Sequence, residues 1–190
     1  MKIRKMLTLV ALCVAGNISA QVTIRDVFKD MPIEIVPYLE ENNKLDLIDF
    51  LDSGMKAVVS NALDGKTTMD SMTDSFIHLS LSNSYELSMK LLDVTQPVDS
   101  TNQIVCLVKT YGVDIHESIV EFYSVKWNKL STEEYLTMPK GIWTATLDEV
   151  NPILTLNSEN WLDRPANAEQ KENQRKSIIL KWNGCFVNEN

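Results

Sequence analysis

The chain has 190 residues, with 18 Lys and Arg against 26 Asp and Glu, a formal net charge of −8. That balance excludes nucleic acid as a partner and argues against an anionic membrane surface, because both need clustered cations. Hydrophobic residues make up 44% of the chain, enough to bury one core, and with only two histidines a zinc site has few ligands to draw on.

The first twenty residues read as an address. Lys2, Arg4 and Lys5 give a basic start, residues 6–15 (MLTLVALCVA) an apolar run, and Asn17-Ile18-Ser19-Ala20 a small and polar end. This is the order of a secretory signal, with the cut expected after Ala20. Two other readings stay open. Cys13 invites lipidation, although Leu12 is bulky where a small residue is wanted, and Ile18 is bulky for a cut three residues on, which allows an uncleaved anchor. Removing the three basic residues takes the charge to −11. Such a surface keeps a protein soluble by repulsion, or meets a basic partner. No later segment has the ~18 uninterrupted apolar residues of a membrane helix.

Residues 21–190 read as a single domain that changes character once. Up to about Met55 the pattern is helical. Thr23 caps a short helix with Ile24, Val27 and Phe28 on its apolar face, ended by Asp30-Met31-Pro32. Pro32 starts a turn toward Val36 and Leu39. A second helix is expected over 44–53, with Leu45, Ile48, Phe50 and Leu51 inward and Asp46, Asp49 and Asp52 outward, stopped by Gly54.

Strands follow. In 76–82 and 85–91 apolar and polar residues alternate, and Asn83-Ser84 sits between them at hairpin spacing. Residues 97–102 read as a turn, 103–111 as a central strand apolar on both faces, and 119–127 as the next strand. Ser131-Thr132-Glu133-Glu134 is a capping box, which predicts a short helix over Tyr135 and Leu136 that Pro139 stops. Residues 153–156 can form a strand, 157–176 an exposed loop or surface helix, and 177–187 a closing strand with Ile178, Leu180 and Trp182 on one face. The expected fold is α+β, with N-terminal short helices packed on a mainly antiparallel β-sheet.

Chemistry is sparse. His78 falls on the wet face of its strand and His116 in a turn; their alternative role is a pair joining an acidic residue, with Glu117 nearest in sequence. Asp46, Asp49 and Asp52 share one helix side near Glu40 and Glu41, a weak metal candidate or an ordinary solvated face. Ser53-Gly54-Met55-Lys56 matches S-x-x-K without its companion elements, and Gly65-Lys66-Thr67 lacks the earlier glycine of a phosphate loop. No cofactor is implied. After export Cys106 and Cys185 remain; both read as buried, and they can form a disulfide worth about 4 kcal/mol or stay separate core thiols. Trp127 and Trp182 read as core residues on strands. Trp143 and Trp161 lie in irregular segments, where an aromatic either grips a sugar or peptide or pins its loop to the sheet.

The stretches Asn42-Asn43-Lys44-Leu45-Asp46-Leu47-Ile48-Asp49-Phe50, Met55-Lys56-Ala57, Asn61-Ala62-Leu63-Asp64-Gly65-Lys66, Met89-Lys90-Leu91-Leu92 and Val105-Cys106-Leu107-Val108-Lys109-Thr110 resemble a family of small exported proteins of unknown function from Bacteroidetes. The resemblance covers most of the mature chain. It implies the periplasm or cell surface of a Gram-negative bacterium and assigns no catalytic or binding residue. The leading functional expectation is a non-enzymatic module that binds an envelope protein, a peptide or a glycan. A carboxylate hydrolase built from Asp46, Asp49 or Asp52 with Glu40 is one alternative, and a carrier of a small apolar ligand is the other.

Overall fold

The computed structural model describes residues 22–158 and 176–188. The leader, Trp161 and most of 157–176 lie outside the described residues. The first helix, α1 (Ile24–Lys29), starts where Thr23 accepts the Asp26 amide and buries Ile24, Val27 and Phe28. Residues 31–40 form turns, and from them Met31, Val36 and Leu39 reach the core.

The second helix, α2 (Glu41–Asp52), begins three residues before the expected start. Asn43 Oδ1 accepts the Glu40 amide at 3.1 Å, so Asn43 caps from within the first turn. Its inward face also differs. Lys44, Leu47 and Ile48 are buried, whereas Leu45 is 38% exposed. The reason is Lys44, whose ammonium donates to the carbonyls of Lys29 (2.6 Å) and Met31 (2.7 Å) at the end of α1. With a lysine inside, helical spacing brings 47, 48 and 51 inward and turns Leu45 out.

Seven antiparallel strands then run in sequence order across one sheet: β1 (Val58–Ser60), β2 (Lys66–Met72), β3 (Phe76–Ser82), β4 (Tyr85–Val98), β5 (Thr101–Tyr111), β6 (Glu117–Ser124) and β7 (Lys129–Leu130). The β3–β4 hairpin closes through Asn83-Ser84 as expected, with Ser82 opposite Tyr85. The β4–β5 turn is only Asp99-Ser100, both at positive φ, so the strands extend into the predicted turn. Strand β6 stops at Ser124. Trp127 therefore lies in the following turn, at φ +65°, rather than on a strand.

A second sheet, absent from the sequence reading, has the order β11-β10-β9-β8. Its strands are β8 (Trp143–Leu147), β9 (Ile153–Ser158), β10 (Ser177–Trp182) and β11 (Phe186–Asn188), joined to the first sheet through a 3-10 turn (Thr132–Glu134). The closing segment is thus two strands, turned at Gly184 (φ +105°). Asn157 and Ser158, expected in a loop, end β9. The protein is mainly β, with few, N-terminal helices.

The first sheet is covered on both faces, and β5 shows why its sequence is apolar throughout. Val105 and Leu107 face the helices, among Phe28, Leu47, Ile48, Leu79 and Leu87. Ile104, Cys106 and Val108 face the second sheet, among Phe122, Trp143, Leu154, Leu156 and Phe186. Each fully buried large side chain contributes about 1.5–3 kcal/mol. No helix among the described residues is long and apolar enough to cross a membrane.

Of the two alternatives for Cys106 and Cys185, the structure has the separate thiols. Cys106 is fully buried beneath the second sheet, which pushes its pKa up. Cys185 is only half-buried, in the β10–β11 turn, with its thiol 3.6 Å from Asn183 Oδ1.

Candidate functional site

The second sheet covers only part of the first. Strand β8 runs across the strands below it. Its Ala145 amide donates to Ser118 Oγ on β6 at 2.8 Å, and just past its end Lys90 on β4 donates to Asp148 O. Beside β8 the floor of β3, β4 and β5 is left open, forming a cleft of about 300 Å³. His78, Glu86, Ser88 and Thr110 line the floor, His116 one end, and residues 144–147 the wall.

The local sequence explains the polar floor. His78, Ser88 and Val108 are cross-strand neighbours, as are Ser80, Glu86 and Thr110. They alternate with the apolar residues that face the helices, so this face carries what the core does not need. Asp70 reaches it through a bulge. The β2–β3 register slips between Met69 and Ser71, which leaves Asp70 unpaired and re-aims its side chain. Its Oδ2 accepts Ser80 Oγ at 2.6 Å and lies 3.1 Å from His78 Nδ1. Glu86 Oε2 is 3.8 Å from His78 Nε2. Gly112 shapes the turn that brings in His116. At φ +127°, a Cβ there would sit 1.8 Å from Ile115 O, so only glycine fits.

The hydrogen bonds of the floor fix the orientation of its side chains. Ser80 Oγ donates to Asp70 Oδ2, and His78 Nδ1 lies 3.1 Å from the same oxygen, so one carboxylate orients both. The outer ring nitrogen of His78 faces Glu86, not a hydroxyl. The floor thus offers carboxylates, an imidazole and hydroxyls to a polar ligand. The wall adds backbone groups. Asp148 N pairs with Ile153 O on β9, whereas Ala145 N points the other way, to Ser118. By strand alternation the Leu147 N–H and the carbonyls of Trp143, Ala145 and Leu147 face the edge of β8 that has no partner strand among the described residues.

The residues singled out from sequence fall in different places. His78 and His116 both line the cleft, and Glu86 lies beside His78; Glu117, opposite Tyr111, belongs to the other face of the sheet. Trp143 begins β8 and is 7% exposed, packed in the second core with its indole N–H donated to Lys140 O. That is the pinning role, not a loop platform. Trp161 lies outside the described residues. Trp182 ends β10, half-buried, and donates to Asp93 O at 2.6 Å.

Asp46 and Asp49 are exposed on α2, and Asp52 is held by Arg25 at 2.6 Å, which lowers the Asp52 pKa through that hydrogen bond. Among the described residues no three His, Cys, Asp or Glu group to hold a metal ion. The volume between helices and sheet, where a carrier would keep an apolar ligand, is filled by Phe28, Leu39, Leu47, Leu79 and Leu87. A second cleft of about 470 Å³ lies beside Lys44, but that ammonium is already taken by two carbonyls. Sequence reasoning missed Asp70, Glu86 and the β8 edge. The available signal was the polar run of β2, Lys66–Met72, facing the wet side of β3.

Comparison with known proteins extends the fold and not the chemistry. A search of curated proteins finds no match. A solved structure described as a domain of an uncharacterized protein from Porphyromonas gingivalis W83 is similar in fold, with a TM-score of 0.70 and 16% identity, over 87% of this chain and 97% of that one. A model of the proteins of unknown function DUF3256 matches residues 16–182. The chain belongs to the DUF3256 family.

Proposed function

We propose that the protein is a non-enzymatic binding module exported to the periplasm or surface of a Gram-negative cell, and that the cleft beside β8 takes a polar segment of its partner, a protein, peptide or glycan. One observation carries the reading. A polar floor of His78, Glu86, Ser88 and Thr110, with Asp70 and Ser80 bonded beside His78, lies next to a strand edge that has no partner strand among the described residues. Such a floor would be costly to cover with apolar groups and inexpensive to cover with hydrogen-bonding ones. Export is supported by the basic, apolar and small-residue order of residues 1–20. The setting is supported by the fold neighbour from a Bacteroidetes species.

The test compares capture from envelope extracts by the wild type, by Ser88→Arg, which fills the cleft, and by Leu63→Arg at an exposed site away from it. The expected result is a partner lost by Ser88→Arg and kept by Leu63→Arg. A partner held equally by all three places binding elsewhere.

A further inference from the structure

We infer that the occupant of the cleft is an extended peptide that joins the second sheet as a fifth strand beside β8, with a basic side chain set down on Asp70 and Glu86. This rests on the binding reading above and names its ligand.

Three observations meet here. First, among the described residues β8 ends its sheet, and its outward backbone groups line the cleft wall, where an added strand would pair. Ser118 Oγ takes the outward amide at the middle of β8, that of Ala145, and leaves the outward groups of Leu147 for pairing.

Second, the space has a strand's place. The second sheet has four strands over a floor of seven, and the next position beyond β8 falls over His78, Glu86, Ser88 and Thr110. Sheet pairing would place a ligand backbone about 4.8 Å from β8, with alternate side chains pointing down.

Third, the floor selects charge. Asp70 and Glu86 flank His78, and Lys90, the nearest buried cation on the same strand face, is turned into Asp148 O and Glu149 O. The downward side chain therefore meets Glu86 in the cleft, with the Asp70 carboxylate next to His78, and Lys or Arg complements this charge where Asp or Glu would be repelled. The formal charge of −8 steers the same ligand class.

The experiment titrates the ¹⁵N-labelled protein with a short peptide of alternating Lys and Thr, a matching Glu and Thr peptide, and the Lys–Thr peptide N-methylated on alternate amides in each phase. The Lys–Thr peptide should shift the amides of residues 143–147 and 78, and the Glu–Thr peptide should not. N-methylation in one phase should abolish binding and in the other leave it intact, as only one set of amides faces β8. The Asp70→Asn, Glu86→Gln double variant should weaken binding about tenfold or more.

Equal binding of the two peptides, indifference to N-methylation in both phases, or no binding by any peptide would overturn the inference. So would shifts that grow with protein concentration alone, which would put a second copy of this chain on the edge. If Ser88→Arg still loses its envelope partner while no peptide binds, the binding reading stands and the strand-addition inference falls.

Discussion

Lys90 donates to the carbonyl oxygen of Asp148 at 2.8 Å, and through this contact a buried lysine of the first sheet holds the end of β8 in the second. The same ammonium reaches Glu149 O at 2.9 Å, and the Asp148 carboxylate accepts the amides of Val150 and Asn151, so the whole β8–β9 turn is tied to one cation. Burial lowers the Lys90 pKa, a sign that the site costs desolvation, which the two carbonyls offset. Lys90→Ala should lose about 2–4 kcal/mol in urea unfolding, from the cavity and the lost bonds. Lys90→Met should recover much of that by refilling the volume, yet amide exchange in the β8–β9 turn should still quicken. Unchanged exchange in Lys90→Met would show that the contact does not hold the turn.

Trp127 links the β6–β7 turn to the first helix. Its indole N–H donates to Val27 O in α1 at 2.9 Å, and it pays for that position with a left-handed backbone. Trp127→Phe should leave a buried carbonyl unpaired and cost about 1–3 kcal/mol in thermal or urea unfolding.

The thiols should label unequally. In protein cut after Ala20, a maleimide should modify Cys185 in the native state and Cys106 only after unfolding, because burial suppresses the Cys106 thiolate. Intact mass after labelling reads this directly. A form that takes no label even when unfolded, and takes two after reduction, would restore the disulfide.

Glu121 supplies an acid-sensitive contact. Burial pushes its pKa up, but the hydrogen bond from Lys129 and the ion pair with Lys109 outweigh that and hold it below the ordinary 4.5. As pH falls past 4.5, the unfolded chain takes up the proton before the native one does. The stability this group contributes is thus fully present above about 4.5 and is lost as pH drops through the lower native value. Glu121→Gln should flatten the fall in urea midpoint between neutral and acid pH.

How much of this was legible follows from single residues. The β3–β4 hairpin was plain because Ile77, Leu79 and Leu81 alternate with His78 and Ser80, and Tyr85, Leu87 and Met89 repeat the pattern. The face of α2 was misread because a lysine was counted as polar, whereas Lys44 is buried by the carbonyls it caps. Strand β2 was missed because four of its seven residues are Thr, Asp or Ser, and its burial depends on Thr67 and Met69 alone. Strand β8 follows Pro139 and Gly141, which read as irregular, so its tryptophan passed for a loop residue. The cleft could not be assembled from sequence, since it needs a bulge at Asp70, the β3–β4 register and a second sheet crossing the first. Periodicity reports the face of each strand, not which faces meet.

The most direct measurement is photo-crosslinking in cells from Thr146, on the cleft wall, with Leu63 as an exposed control away from it. The account predicts a defined adduct from Thr146 that disappears when Ser88→Arg fills the cleft, and none from Leu63. No adduct at Thr146, or the same adduct from both positions, would contradict it.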